Sequence, residues 1–138
     1  MSEGPRFPFP IPDFDAEPYW EACNREELHM QRCEGCRTLR FTPGPACGAC
    51  GSLESRWERL SGRGEVTTWT VVTHPIHPAA VERVPYIVAE IELEEQAGLR
   101  IITNLLEVAP DRVAVGLPVE VTFETHPSGQ KLPQFRPR

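Results

Sequence analysis

The sequence predicts a mainly β protein in which an N-terminal helix and a small cysteine-bound ribbon precede a five-stranded barrel. Two Cys-x-x-Cys pairs lie ten residues apart, between Cys33 and Cys50. Later segments alternate between apolar and polar side chains, which is typical of strands with one buried face. A Gly-Arg-Gly sequence at 62–64 separates these two patterns. We therefore expect one unit over residues 1–61 and a second over residues 62–138.

Residues 1–12 contain four prolines, with Phe7, Phe9 and Ile11 between them. Because proline lacks an amide donor and fixes its backbone angle, this pattern predicts an extended arm instead of a helix. The apolar side chains indicate that the arm docks, either across the cysteine ribbon or onto a partner protein. A frayed terminus is the alternative.

Residues 13–27 predict a helix that leads into the ribbon. Asp15 is the expected N-cap, and Pro18 lies in the first turn, where its missing amide proton costs nothing. The side chains expected to share the face that packs against the ribbon are Tyr19, Trp20 and Cys23. This face is most simply explained as part of the hydrophobic core.

Four cysteines have the spacing of a zinc site: Cys33, Cys36, Cys47 and Cys50. A gap of two residues lets both thiolates of one tight turn point at one ion, and two such turns complete a tetrahedron. With strands predicted over residues 28–32 and 38–42, the arrangement is that of a zinc ribbon or a rubredoxin-like knuckle. A closed site of four thiolates leaves no open coordination position, so we expect the Zn²⁺ to be structural.

Other interpretations of the cysteines fit the sequence less well than zinc does. The N-terminus shows no secretory signal, so a cytoplasmic, reducing location is expected and disulfides are disfavoured. A redox dithiol would need only one pair. The spacing alone does not separate zinc from iron, but zinc is the commoner metal of structural sites. Cys23 lies outside the pattern and is interpreted as a small buried hydrophobic residue.

The second unit is predicted to consist of five strands, over residues 65–73, 85–93, 99–106, 119–125 and 132–135. A turn or helical link is expected over residues 110–116, between the third strand and the fourth. This strand count and layout are those of an OB-type Greek-key barrel, although other small barrels and sandwiches fit as well. The last strand is expected at an edge of the sheet.

Candidates for chemistry outside the cysteines are few. His74 and His77 lie three apart in a proline-containing loop that does not direct both rings to one point, so we interpret them as a solvent-exposed pair. A run of acidic residues is interpreted as the solvated side of a strand and its turn: Glu90, Glu92, Glu94 and Glu95. No phosphate-binding loop or nucleophile motif is present, so no catalytic residues are assigned.

The net charge of −6 argues against a nucleic-acid-binding protein. Residues 1–61 and residues 62–138 each hold seven basic and ten acidic side chains, so neither unit offers the basic surface that binds phosphates. The longest apolar run is too short to cross a bilayer, and no membrane partner is expected. An independent enzyme would need a catalytic constellation that the sequence lacks.

Six segments in a fixed order resemble one known family. They are the aromatic helix, the paired Cys-x-x-Cys ribbon, GRGEVTTWT at 62–70, PYIVA at 85–89, GLPVEV at 116–121 and LPQFRP at 132–137. Together they resemble the "domain of unknown function 35" family of acyl-CoA-associated OB-fold proteins, over nearly the whole chain. Each segment is weak evidence by itself, whereas six in order are specific.

The resemblance implies an accessory subunit of an acyl-CoA enzyme. Members of the family are similar to partners of thiolase-superfamily enzymes, and some form the C-terminal domain of enoyl-CoA hydratase subunits of steroid side-chain degradation, where they associate with a thiolase-like aldolase. Thiolase-like proteins are usually dimers, so two copies of this chain on one partner dimer are expected. The family supplies no catalytic motif, and the four cysteines are the residues that transfer. The arm and residues 132–136 are expected to contact the partner.

Overall fold

The computed structural model describes residues 7–138. Helix α1 spans Glu17–Asn24. Three strands form the ribbon: β1 His29–Cys33, β2 Leu39–Arg40 and β3 Ser55–Arg59. Five strands form the barrel: β4 Arg63–Val72, β5 Tyr86–Leu93, β6 Arg100–Leu105, β7 Pro118–Thr125 and β8 Lys131–Pro137. The part of the expected arm before Phe7 lies outside the described residues.

Helix α1 is shorter than predicted, and Asp15 is not its cap. The N-cap position is Ala16, and no side chain caps the helix. The Ala16 amide donates to the Asp13 carboxylate at 2.8 Å, in the turn that precedes the helix. Pro18 lies in the first turn as predicted. The helix ends before Glu26, which has a left-handed φ of 59°. That conformation breaks the helical hydrogen-bond pattern.

The buried face of α1 packs on two partners, where one was predicted. The ring of Tyr19 lies 5.5 Å from the ring of Phe41 in the ribbon and is 3% exposed. The same helix also contacts β1 of the ribbon and β8 of the barrel. Cys23 is fully buried in this core, as expected from the sequence. The helix therefore joins the ribbon to the end of the chain.

The ribbon is a three-stranded antiparallel sheet in the order β2-β1-β3. The sequence predicted the first two strands and treated residues 53–60 as the exit from the ribbon, whereas the structure places a third strand there. Between β1 and β3, the Arg32 guanidinium donates from Nε and Nη2 to Glu58 Oε2, at 3.0 and 2.6 Å. The Arg32 guanidinium lowers the pKa of the Glu58 carboxyl.

The barrel is closed, with the strand order β4-β5-β6-β8-β7. All neighbouring pairs are antiparallel except β6 with β8, which are parallel and meet at Leu105 and Phe135. The prediction of an edge position for the last strand was therefore wrong, because β8 lies between β6 and β7 and closes the barrel. The predicted link between the third and fourth strands contains a 3-10 helix, Pro110–Arg112.

Close packing inside the barrel depends on glycine at its start. A Cβ atom at Gly64 would overlap the carbonyl oxygen of Glu92 and the side chain of Ile91. Gly62 has φ 79°, and a Cβ there would overlap the side chain of Val121. Both glycines thus allow β4 to approach its neighbours closely, as expected where a barrel strand coils sharply.

Side chains join the ribbon and the helix to the barrel. The Gln96 side chain, in the β5–β6 turn, hydrogen-bonds both backbone groups of Leu39 in β2. The side-chain Oδ1 of Asn24 accepts from the Lys131 backbone amide at 2.9 Å, and the Gln130 side-chain amide donates to the Trp20 backbone carbonyl at 3.2 Å. Within residues 7–138, no helix is long and apolar enough to cross a membrane.

Candidate metal centre and surface groove

The four cysteines lie on two turns with matching backbone hydrogen bonds. Cys33 ends β1, and the Arg37 amide donates back to its carbonyl at 3.0 Å. In the second turn the Gly51 amide donates to the Cys47 carbonyl at 2.8 Å. Arg37 and Gly51 both have left-handed φ values, of 68° and 78°. Each turn therefore reverses directly after its second cysteine and keeps both sulfurs on the same side.

The four sulfur atoms lie within 4.8 Å of one another. Two sulfur pairs, Cys33 with Cys50 and Cys36 with Cys47, are each separated by 3.6 Å. A disulfide would require about 2.05 Å, so the cysteines are free thiols. A tetrahedral zinc with Zn–S bonds of about 2.3 Å places its sulfurs about 3.8 Å apart. The observed cluster thus has the size and the donor set of a four-thiolate zinc site.

Hydrogen-bonding groups of the turns lie close to the sulfurs. Backbone amides of Gly35 and Ala49 point at Cys33 and Cys47, at 3.3 and 3.4 Å. The Cys36 sulfur lies 3.2 Å from the Thr38 hydroxyl, and hydrogen bonds from Thr38 lower the pKa of Cys36 to about 6. At Cys33 and Cys36 such bonds favour the thiolate form that binds metal. At Cys50 the hydrogen bond from the Ser52 backbone is outweighed by the neighbouring Cys33 and Cys36 sulfurs, so the pKa of Cys50 is instead raised to about 11.

The other candidates from the sequence lie elsewhere. His77 is the N-cap of a 3-10 helix, Pro78–Ala80, and its Nδ1 accepts from the Ala79 amide at 3.1 Å. His74 is exposed. In the described part of the chain, the groups able to hold a metal ion comprise the four cysteines and neither histidine. From the acidic run, Glu90 and Glu92 pair with Arg100 on the outer side of the barrel.

A groove of about 790 Å³ crosses the outside of the barrel over β5, β6 and β8. Counted within the barrel, β5 and β6 are the second and third strands, which form the ligand-binding face of many OB-folds. The groove floor consists of outward side chains from these strands: Tyr86, Val88, Ile102, Asn104, Leu132 and Gln134. It therefore combines an apolar surface with two amide side chains.

The arm docks at one end of this groove, and so on the barrel instead of the ribbon. The His126 imidazole bonds the Phe7 carbonyl through Nε2 at 2.8 Å. Since Nδ1 of His126 accepts from the Ser128 amide, Nε2 carries the proton and donates. The Phe7 ring lies 4.6 Å from the Arg83 guanidinium carbon and stacks on His77.

Family models match both units of the chain. The model described as "ChsH2, rubredoxin-like zinc ribbon domain" matches residues 20–55, and "ChsH2, C-terminal OB-fold domain" matches residues 57–124. A "DUF35 domain-containing scaffold protein" of Pyrococcus furiosus is 36% identical over 106 residues, covering 75% of this chain and 74% of that protein. This chain belongs to the DUF35 family.

As a DUF35 protein, the chain contains a rubredoxin-like zinc ribbon and an OB-fold barrel, which confirms the predicted fold class. The four close cysteines are consistent with a structural zinc. A chain of the solved structure "Ltp2-ChsH2(DUF35) aldolase" is 40% identical, with a TM-score of 0.83 and coverage of 94% of this chain and 98% of that chain. The protein thus matches the DUF35 partner of an aldolase in fold and sequence.

Two hydratase subunits are also similar to this DUF35 chain. The "Probable enoyl-CoA hydratase alpha subunit" of Thermomonospora curvata is 40% identical over 94% of the chain. The "3-oxo-4,17-pregnadiene-20-carboxyl-CoA hydratase alpha subunit" of Mycobacterium tuberculosis is 36% identical over 79%. The chain spans 40% and 33% of the length of these two proteins.

Sequence reasoning missed the groove of this DUF35 chain. Its amide residues, Asn104 and Gln134, occupy polar positions in alternating strands, where such residues are ordinary. The position of Gln134 beside Asn104 depends on the parallel pairing of β6 with β8, which periodicity does not reveal. The one usable signal was Phe135, because a large aromatic side chain in the last strand is unfavourable on an exposed edge.

Proposed function

We propose that this chain is a non-catalytic accessory subunit that binds a thiolase-superfamily enzyme acting on acyl-CoA thioesters. The observation that carries the proposal is the similarity, over almost the full length of both chains, to the DUF35 chain of an aldolase complex. The partner is then a thiolase-like aldolase or thiolase, which supplies the catalytic residues. The hydratase relatives support an enoyl-CoA hydratase subunit as a second partner and steroid side-chain degradation as the setting.

The ribbon contributes stability and shape to this assembly. In the proposal, Zn²⁺ is held by the four thiolates of Cys33, Cys36, Cys47 and Cys50, and the unit that contains them spans residues 1–61. Because four protein ligands complete a tetrahedron, the metal orders the fold and offers no position to substrate. The OB-fold unit, residues 62–138, then lies beside the partner's active site and forms part of the acyl-CoA channel. Cysteines that form no disulfide suit a reducing, cytoplasmic location.

The partner-binding surface proposed here includes the residues just before α1. Ile11 and Phe14 are 88% and 89% exposed, which is unusual for two large apolar side chains on a short segment. The end of the chain, which the sequence suggested as a second contact, is not free for this purpose, because Phe135 is fully buried in the barrel core. Exposed aromatic and aliphatic side chains are typical anchors of protein interfaces. Two copies of the chain on a partner dimer would satisfy its symmetry.

Co-expression with a thiolase-like enzyme encoded beside this chain tests the proposal. We expect the two proteins to co-elute and carbon–carbon cleavage of a β-hydroxyacyl-CoA to require both. The double variant Ile11→Ser and Phe14→Ser should raise the dissociation constant of the complex at least tenfold, since hot-spot truncations cost about 2 kcal/mol or more of binding free energy. Val115→Ser, at another exposed apolar residue, is the matched control. Full cleavage activity of the partner alone, without co-elution, would contradict the accessory role.

A further inference from the structure

Two amide side chains lie next to each other on the groove floor. Leu105 and Phe135 are paired across the parallel strands β6 and β8, and both point into the core, at 3% and 0% exposure. Asn104 and Gln134 each precede one member of this pair, so both point outward from neighbouring positions. Both residues line the groove. The otherwise apolar floor therefore contains a polar pair at its centre.

The amide of Gln134 has an acceptor without a partner. Its Nε2 donates to the Glu124 carboxylate at 2.9 Å, and turning the amide over would direct its oxygen at that carboxylate, so the orientation is settled. Gln134 is 5% exposed, and its Oε1, which neighbouring atoms cover completely, finds no donor among residues 7–138. A buried acceptor without a donor destabilises the folded state, so a ligand that moves the covering groups aside and supplies the donor recovers this energy.

Asn104 is oriented in a related way. Its Nδ2 donates to the Ile87 carbonyl at 3.2 Å, so its oxygen is directed away from that strand. Both amides thus use their nitrogens within the protein and keep their oxygens for acceptance. A molecule that meets this pair has to present N–H or O–H groups.

The charges around the groove exclude an anionic ligand at this point. Arg83, the one arginine or lysine among the described lining residues, is held by Glu124 at 2.8 Å. The other lining carboxylate, Glu107, pairs with Arg136 at 3.5 Å. No cation remains free for a phosphate or carboxylate within this part of the described chain, and the acidic groups would repel one. The groove therefore suits an uncharged group.

We infer that the groove is a binding site for an uncharged, mainly apolar molecule whose hydroxyl or amide N–H group donates to the Asn104–Gln134 amide pair, with Gln134 Oε1 as the specificity-determining acceptor. A groove of 790 Å³ is within the range of small-molecule sites. The Phe7 carbonyl, bonded to His126, fixes the arm as one wall of this site. That the ligand is the acyl part or the amide arm of a thioester substrate rests on the proposed function. The chemistry of the site itself does not depend on that function.

The test measures binding to the complete chain alone by NMR of the ¹⁵N-labelled protein. The probes are trans-2-decalol and its methyl ether, which share an apolar body and an oxygen but differ in the donor. A second pair, N-cyclohexylacetamide and its N-methyl derivative, separates an amide donor from a hydroxyl donor. We expect the donor-bearing member of at least one pair to bind about tenfold more tightly than its partner and to shift the side-chain amide signals of Gln134. Which pair discriminates identifies the source of the donor.

Variants complete the test. Gln134→Leu should bind the methyl ether as before but reduce the preference for the alcohol to below twofold. Thr68→Val, at an exposed position of β4 outside the groove, should keep the full preference. If Gln134→Leu fails to fold, the Gln134 amide signals of the unaltered chain decide, because they must respond to a donor and not to its methylated analogue.

Equal binding of both members of both pairs, absence of saturation up to solubility, or shifts confined to residues outside the groove would each overturn the inference. Because no partner enzyme is present, such a failure is distinct from failure of the accessory-subunit proposal.

Discussion

The side chain of Gln96 substitutes for a strand beside Leu39. Its Nε2 donates to the Leu39 carbonyl and its Oε1 accepts from the Leu39 amide, both at 2.9 Å. A neighbouring strand would satisfy the same two backbone groups in this way. Since Gln96 lies in the β5–β6 turn and Leu39 lies in β2, one side chain fixes the barrel against the outer strand of the ribbon.

We expect Gln96→Ala to lower the free energy of unfolding by about 2–3 kcal/mol, because both backbone groups of a buried residue lose their partner. Urea denaturation followed by tryptophan fluorescence measures the change. Glu94→Ala, at an exposed position of the same turn, should change stability by less than about 0.5 kcal/mol. If both variants have the same stability, the bridge between the two units is not important for folding.

Purified chain should contain about one zinc per molecule, measured by elemental analysis. Cys47→Ser should abolish this zinc and unfold the ribbon more than the barrel, because the metal supplies folding energy to a unit with a small core. Loss of backbone amide NMR signals from β1 to β3, with those of the barrel retained, would show this.

Cys23→Ser is the matched control for the metal prediction. Cys23, on the buried face of α1, lies outside the cluster, so its replacement should leave the zinc content unchanged while it lowers stability by about 1–3 kcal/mol. A chain that contains no zinc, and keeps its fold in strong chelator, would contradict the structural role of the cysteine cluster.

Tyr19 should make the protein sensitive to alkaline pH. Burial, and secondarily the proximity of Cys23, raise the pKa of Tyr19 far above its ordinary value of 10.0. The unfolded chain therefore releases the proton first, so this contribution to stability is fully present below about pH 10 and is lost as pH rises further, by at most about 1.4 kcal/mol per pH unit. Tyr19→Phe should flatten the decline in unfolding free energy between about pH 10 and 11.

The control for this pH experiment is Tyr86→Phe, which removes a hydroxyl group from a half-buried ring in the groove. Urea unfolding at a series of pH values gives the slopes of the three proteins. Identical slopes of unfolding free energy against pH for the unaltered chain and Tyr19→Phe would contradict the prediction, because Tyr19 would then ionise at its ordinary pKa in the folded state.

Gly64→Ala should destabilise the barrel by about 2–3 kcal/mol, because the new methyl group meets the Glu92 carbonyl and the strands have to separate. Thermal unfolding measures this loss. At Gly44, in contrast, a Cβ atom would meet nothing within 4 Å, and Gly44→Ala should change stability by less than about 0.5 kcal/mol. Equal melting temperatures of the two variants would show that β4 can move without cost.

Local chemistry explains which features could be predicted from the sequence. The Cys-x-x-Cys turns bring sulfurs together through bonds of short range, such as that from the Arg37 amide to the Cys33 carbonyl. The strand β5 has a strict alternation of buried and half-buried residues, so its position was predicted to within one residue. Features of this kind depend on neighbours in the chain.

Features that depend on distant parts of the chain could not be predicted in the same way. The edge position expected for β8 was wrong because its pairing with β6 arises only when the barrel closes. The alternation of side chains along its seven residues does not reveal whether one or two strands lie beside it. The position of the arm on the barrel could not be predicted, because the Phe7 carbonyl is bound by His126, which lies 119 positions away in the sequence. The start of α1 differs from the prediction because Asp13 holds a turn through the Ala16 amide, and the helix then begins without a side-chain cap.

The bond between Asn24 and Lys131 connects residues 107 positions apart, which has a consequence for biosynthesis. At about 5–20 residues per second, a ribosome needs roughly 5 to 20 s to add β8 after α1 has been made. During this interval the zinc-stabilised ribbon can already be complete, whereas the side of α1 that later meets β8 remains uncovered. Nascent chains of this protein therefore present this uncovered side of the helix to chaperones until β8 has been synthesised.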